Sequence, residues 1–342
     1  MLGVGIVGAG WVSGEHIKAY SNNPNTRIVG ILSRTREGAE RKRDELGIEC
    51  RVYDSLDQML DDDKIQIISI CSRSDLHSSQ ARLGARAGKH LVIEKPIALT
   101  LEDLWSLEAD VAEYRVKTVV SFVLRWNPFF QMVKRLLNDG ALGSLFYASC
   151  DYWNNTNEHW PGFKWGRTRQ GGGSSMLLSG CHAADAVRWF AGEVVEVSAF
   201  AADRNPDSPF EFNPNVVASL RYASGAVGKV SSLLECYTPY RFNVELFGDQ
   251  GTLRNNRLFS HKLLGQTDYA EIPTVLPDSS DVSHHPFQAE IDHFVSCILE
   301  DRESHANVAD AAKSHELCFA IDRSCKTGET ISLPLADRPK SA

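Results

Sequence analysis

The chain of 342 residues exceeds one average domain and falls short of three, so two domains are expected. Its 43% hydrophobic and 23% charged residues are ordinary for a folded globular protein and argue against a disordered chain, a collagen-like repeat or a coiled coil. With 44 Asp and Glu against 36 Lys and Arg, the net charge of −8 and the lack of a basic cluster argue against a nucleic-acid partner.

The first third alternates short apolar runs with helical patterns. Residues 2–7, 27–33, 65–71, 90–93 and 118–122 read as strands, with helices over 14–22, 37–46, 76–87 and 101–114 between them. Strands that are short and apolar throughout, separated by helices, predict buried parallel strands in a doubly wound sheet. An α/β Rossmann domain is therefore expected over residues 1–122. Beyond it, helices over 128–138 and about 177–190 sit among runs that alternate with period two, at 216–222, 226–233 and 242–247. These predict an α+β domain over residues 123–342 with a large, mostly antiparallel open sheet. Amphipathic helices over 287–299 and 308–326 follow, the second stopped by Gly328.

No apolar run approaches the roughly 20 residues of a membrane helix, and the chain enters a core strand within three residues of Met1 instead of opening a signal peptide. No membrane partner and a cytoplasmic location are expected. Eight scattered cysteines without a CxxC pair read as reduced. The densest histidine pair, His284-His285, has no carboxylate at a helical offset, so no metal is expected.

The first chemical motif is Gly8-Ala9-Gly10-Trp11-Val12-Ser13, between the first strand and the first helix. Its glycines permit a tight turn and close approach to a pyrophosphate, whose charge sits at the positive helix end. Ser33-Arg34 ends the second strand where an NAD-selective site usually carries an acid. A hydroxyl beside a guanidinium suits a 2′-phosphate, so NADP is favoured, with NAD usable. Glu94-Lys95-Pro96 follows the fourth expected strand, at the carboxyl edge where open α/β sheets bind ligands.

These motifs, with Asp75-Leu76-His77, Ala87-Gly88-Lys89-His90 and the glycine-rich run ending Gly180-Cys181-His182-Ala183-Ala184-Asp185, resemble the Gfo/Idh/MocA family of oxidoreductases over nearly the whole chain. The resemblance implies hydride transfer between nicotinamide and a secondary alcohol or ketone of a sugar, inositol or related polyol. It implies cofactor contacts from Gly8, Gly10, Trp11, Val12, Ser33, Arg34, Ser72, His77, Glu94 and Lys95. It makes Lys95 and His182 catalytic. The positive charge of oxidised nicotinamide favours a neutral amine at Lys95, which then takes or shares the hydroxyl proton; protonated, Lys95 polarises a carbonyl.

The family pattern Asp-x-Gly-x-His places an aspartate four residues before the histidine, where this chain has Leu178. A leucine cannot orient the imidazole. Either Lys95 and His182 suffice, or Asp185 or another group assists, or activity is lost. Arg125-Trp126-Asn127-Pro128 resembles the family's entry to the second domain. The segment from Tyr152 through Lys164 and Trp165 resembles its substrate loops, so Arg125, Tyr152, Lys164, Trp165 and Asp185 are expected at the substrate. The open sheet face implies a homodimer or homotetramer. Two other readings stay open: a non-catalytic nucleotide-binding regulator, and a glycosidase that uses NAD for transient oxidation.

Overall fold

The computed structural model describes residues 1–202, 205–277 and 285–338. The chain divides into two compact units, Met1–Val123 with Pro286–Ala312, and Leu124–His285 with Lys313–Ala342. The segment Pro286–Ala312, which a boundary at residue 122 assigns to the second domain, clusters with the first.

The first unit holds strands β1 (Leu2–Val7), β2 (Thr26–Leu32), β3 (Arg51–Val52), β4 (Ile67–Ile70), β5 (His90–Ile93) and β6 (Thr118–Val120). They form one sheet in the order β3-β2-β1-β4-β5-β6, parallel at every pairing. Strand β4 is buried at all its residues, and β1 from Gly3 onward. Continuous burial is what a sheet covered on both faces demands, and it explains apolar runs without alternation.

Helices α1 (Trp11–Asn22), α2 (Arg36–Glu45), α3 (Leu56–Leu60), α4 (Ser74–Arg86) and α5 (Leu101–Tyr114) connect the strands. Thr35, Ser55 and Thr100 cap α2, α3 and α5, each hydroxyl accepting a backbone N–H three residues on. The two-residue β3 and five-residue α3 were not expected, because elements that short carry no readable period.

The second unit begins with α6 (Pro128–Asn138), capped by Asn127 with proline in its first turn. Strands β7 (Leu145–Trp153), β8 (Val194–Ala201), β9 (Asn215–Tyr222), β10 (Val227–Leu233), β11 (Arg241–Gly248), β12 (Gly251–Arg254), β13 (Arg257–Ser260), β14 (Ala270–Glu271) and β15 (Ile331–Ser332) make its sheet. Their order is β14-β13-β12-β11-β7-β10-β9-β8-β15, antiparallel except for the parallel pair β7 and β10.

Strand β9 shows strict alternation: Val216, Ala218, Leu220 and Tyr222 are buried, while Val217, Ser219 and Arg221 are exposed. One face therefore packs inward, and the other stays open. Short helices α7 (Phe163–Gly166) and α8 (Arg169–Gly172) precede a π turn at Met176–Gly180, which runs directly into α9 (Cys181–Ala191) on the inner face of β7 and β10. The helices α10 (Phe287–Leu299) and α11 (Val308–Thr327) complete the chain. Among the described residues no helix is long and apolar enough to cross a membrane, and no three His, Cys, Asp or Glu side chains gather as a metal set. His284 lies outside the described residues, and His285 is half-buried.

Candidate active site

The first unit brings the turns after β1, β2, β4 and β5 to one edge of its sheet, because all these strands run parallel. Gly8 has φ +111°, and a Cβ there would stand 2.4 Å from the Cys71 carbonyl oxygen, so only glycine fits. Gly10 caps α1 without a side-chain hydrogen bond, and nothing lies within 4 Å of where its Cβ would be. The first turn of α1 carries no acid, which leaves its N–H groups and positive end to an anion. Ser13 Oγ folds back to donate to the Gly10 carbonyl at 2.7 Å. Trp11 is exposed and Val12 half-buried beside this turn. The residues fit a dinucleotide pyrophosphate.

After β2, Ser33 is half-buried and Arg34 exposed, and Arg34 makes no ion pair among the described residues. Arg36 is instead held by Asp54 at 2.6 Å and Glu40 at 3.0 Å. The Arg34 guanidinium is left open at the strand end.

His77, expected at the cofactor, is held between two backbone carbonyls. It is buried, with Nδ1 2.8 Å from the Pro96 carbonyl and Nε2 3.0 Å from the Ser72 carbonyl. It ties the turn after β4 to the Glu-Lys-Pro turn, and burial holds its pKa below the usual histidine range. Ser72 is half-buried, and its hydroxyl donates to Gln80 at 2.6 Å.

Glu94, also expected at the cofactor, bonds His16. Its buried carboxylate accepts from His16 Nε2 at 3.0 Å, while His16 Nδ1 lies 3.0 Å from Ser69 Oγ. Burial alone would raise the Glu94 pKa, but His16, Lys95 and His77 outweigh it and hold the carboxyl below its ordinary value. Burial also disfavours the charged His16 ring, yet Cys71 and Glu94 lift it well above the histidine range. Lys95 itself is half-buried.

In the second unit, His182 opens α9 and is buried. The Tyr152 ring stacks on it with centroids 6.3 Å apart and planes 11° from parallel, and Tyr240 meets Tyr152 edge-on at 5.1 Å. The preceding π turn needs Gly180, since a Cβ there would meet Met176 Sδ at 2.7 Å and Ser232 Cβ at 2.8 Å. Single π turns often mark functional segments, and this one sets where α9 begins.

Leu178, at the family's aspartate position, is packed with Phe210, Phe212 and Leu234, and Tyr152, Trp160 and Phe163 close over this cluster. The place is apolar as well as uncharged. Trp165 is half-buried and Lys164 exposed.

Arg125 and Asp185, both expected at the substrate, bond each other. Arg125 Nε donates to Asp185 Oδ2 at 2.8 Å and Nη2 to Oδ1 at 2.5 Å, with side-chain exposures of 2% and 3%. Ser314 Oγ adds a third bond to Asp185 at 2.8 Å. Asp185 is thereby engaged with Arg125 and Ser314. The pair joins segments 60 residues apart, which no local spacing reveals. Two further groups escaped the sequence reading, His16 and Glu290. Glu290 left a signal: it interrupts the apolar stripe Phe287, Ile291, Phe294 and Val295 of α10.

A parallel sheet with an open dinucleotide turn and a lysine at its carboxyl edge, followed by an open-sheet α+β unit, defines a nicotinamide-nucleotide oxidoreductase. The chain belongs to the Gfo/Idh/MocA family. The family model described as "Oxidoreductase family, NAD-binding Rossmann fold" matches residues 2–122, and the one described as "GFO/IDH/MocA C-terminal domain" matches residues 130–254. The chain is 26% identical to D-apiose dehydrogenase of Paraburkholderia graminis, covering 96% of this chain and 88% of that protein. It is also 26% identical to inositol 2-dehydrogenase of Rhizobium meliloti, over 96% and 98% of the two chains. Among solved structures, levoglucosan dehydrogenase in complex with NADH and levoglucosan shares the fold, with a TM-score of 0.88 at 22% identity over 97% and 99% of the chains.

Proposed function

We propose that the protein transfers hydride between a nicotinamide nucleotide and a secondary alcohol or ketone of a sugar, inositol or related polyol. The observation that carries this reading is the conjunction, at one sheet edge, of an uncapped α1 behind Gly8 and Gly10 with Lys95 directly after β5. The relatives named D-apiose dehydrogenase and inositol 2-dehydrogenase support the substrate class.

Gly8, Gly10, Trp11 and Val12 hold the pyrophosphate side, and Ser33 with Arg34 the adenosine ribose, favouring NADP over NAD. The nucleotide, when bound, supplies the hydride acceptor or donor. Lys95 takes or shares the hydroxyl proton on oxidation and polarises the carbonyl on reduction. His182, held by Tyr152 and the π turn, serves proton transfer without a carboxylate at position 178. Tyr152, Lys164 and Trp165 contact the polyol.

The packing of Leu178 favours a second reading, a nucleotide-binding regulator without turnover. For assembly, the open face of the second sheet, with Phe200, Val217 and Val227 exposed at 79%, 41% and 48%, supports a homodimer or homotetramer. Absorbance at 340 nm with either nucleotide, across a panel of cyclic polyols and ketosugars, tests the reading. Turnover of at least one member is expected. No turnover alongside tight nucleotide binding by calorimetry replaces it with the regulator.

A further inference from the structure

Behind the carboxyl edge of the first sheet lies a buried polar chamber that the proposed reaction does not use. Its groups come from five segments of one unit: His16 and Tyr20 from α1, Ser69 from β4, Glu94 after β5, Ser121 after β6, and Glu290 from α10. All are buried. His16 is the hub, bonding Ser69 and Glu94 at 3.0 Å each. Helix α10 lies against α1 here: the Phe287 ring stands 5.2 Å from the His16 ring, and Glu290 follows one helical turn later on the same face. Asn22 and Asn23 fix this contact by donating to Gln288 and Asp292.

Glu290 is fully buried, and the groups that act on its carboxyl are His16, Glu94 and Ser121. Tyr20 lies on the same cluster, beside Ser69. A second carboxylate beside the His16–Glu94 pair would be costly if charged, and burial pushes the Glu290 pKa up to about 8, so near pH 7 it stays mostly protonated. A neutral carboxyl is a donor as well as an acceptor, which suits a buried cluster that also holds Ser121 and Tyr20.

We propose that His16 and Glu290 are positioning residues for Lys95: Glu290 confines the His16 ring to the orientation that grips Glu94, and Glu94 in turn fixes the backbone from which Lys95 leaves the sheet edge. This inference rests on Lys95 being the proton-transfer group proposed above, and its test separates the two.

The variants are His16→Gln, Glu290→Met, which keeps bulk without a carboxyl, and Glu290→Gln, which keeps a neutral polar group. Two quantities are read on the full chain, with thermal unfolding alongside. One is the kcat and KM of the wild type's best substrate. The other is the rate of Lys95 acetylation by acetic anhydride, followed by peptide mass spectrometry, which needs no turnover.

His16→Gln and Glu290→Met should lower kcat about tenfold, with KM within about threefold, and change the Lys95 labelling rate at least threefold. Glu290→Gln should restore both to near wild type. Folded His16→Gln and Glu290→Met proteins that label Lys95 at the wild-type rate overturn the proposal. Should Glu290→Met fail to fold, His16→Gln alone decides by the same labelling criterion. Altered labelling in a protein that turns over no substrate leaves the positioning intact and refutes the assigned reaction instead.

Discussion

The two groups proposed to react are supported in opposite ways. Around Lys95 the first unit buries charge and hydrogen bonds: Glu94 on His16, His16 on Ser69, and His77 between two carbonyls. Around His182 the second unit buries hydrocarbon, with Leu178, Phe210, Phe212 and Leu234 where the family places a carboxylate. A buried ion pair of this unit, Asp185 with Arg125, has its carboxylate on α9 three residues after His182. Charge networks orient a group through directional bonds, whereas apolar packing restrains it through shape. The second unit therefore holds the imidazole through a stacked tyrosine and a π turn.

The sharpest way to break this contrast is to put the carboxylate back. Leu178→Asp should destabilise the fold by about 3–5 kcal/mol, since it buries an unpaired charge and removes a core side chain. Leu178→Met, which keeps volume, should cost under about 1.5 kcal/mol. Urea unfolding of both checks this, and a Leu178→Asp protein as stable as wild type would mean that the position is not sealed. Of similar size is the loss from cutting the Arg125–Asp185 pair: either alanine variant should cost about 3–5 kcal/mol, because the remaining charge stays buried. The double variant should lose clearly less than the sum, and additive losses would dissolve the pair as a unit.

Much of the first unit was readable because the physics is local. Strands buried on both faces write themselves as apolar runs, and Gly8 and Gly10 stand where a turn after β1 needs them. Lys95 was likewise marked by its place at a strand end. The second unit was readable where alternation exposes an open face, as in β9. The long-range pairs were not readable. Arg125 meets Asp185 across 60 residues, Leu178 meets Phe210, Phe212 and Leu234 from later segments, and α10 returns to α1 across most of the chain. The glutamate on the apolar stripe of α10 was the one hint of that return.

Smaller effects sharpen the first unit's half of the contrast. Between the ordinary glutamate pKa of 4.5 and about 8, folded Glu290 keeps a proton that the unfolded chain releases, so its contribution to stability falls as pH rises through that window. Glu290→Gln cannot titrate. Its stability relative to wild type should climb between pH 5 and pH 8 by on the order of 3 kcal/mol, at about 1.4 kcal/mol per unit over part of the range. Unfolding midpoints at four pH values test this, and a constant difference would show that the carboxyl is not protonated in the fold. Smaller still, Arg34→Ala should cost NADPH about 1.5–3 kcal/mol of binding while leaving NADH nearly unchanged. Equal wild-type affinities for the two nucleotides, by fluorescence titration at one salt concentration, would remove the 2′-phosphate assignment.

The central claim is that Lys95 moves the proton of the reacting hydroxyl while the turns around it hold the nucleotide. Lys95→Ala, measured for nucleotide affinity by calorimetry and for turnover at 340 nm on the best polyol, separates these roles. The account predicts affinity within a few-fold of wild type and turnover lowered by about 10² or more; turnover within tenfold of wild type would contradict it.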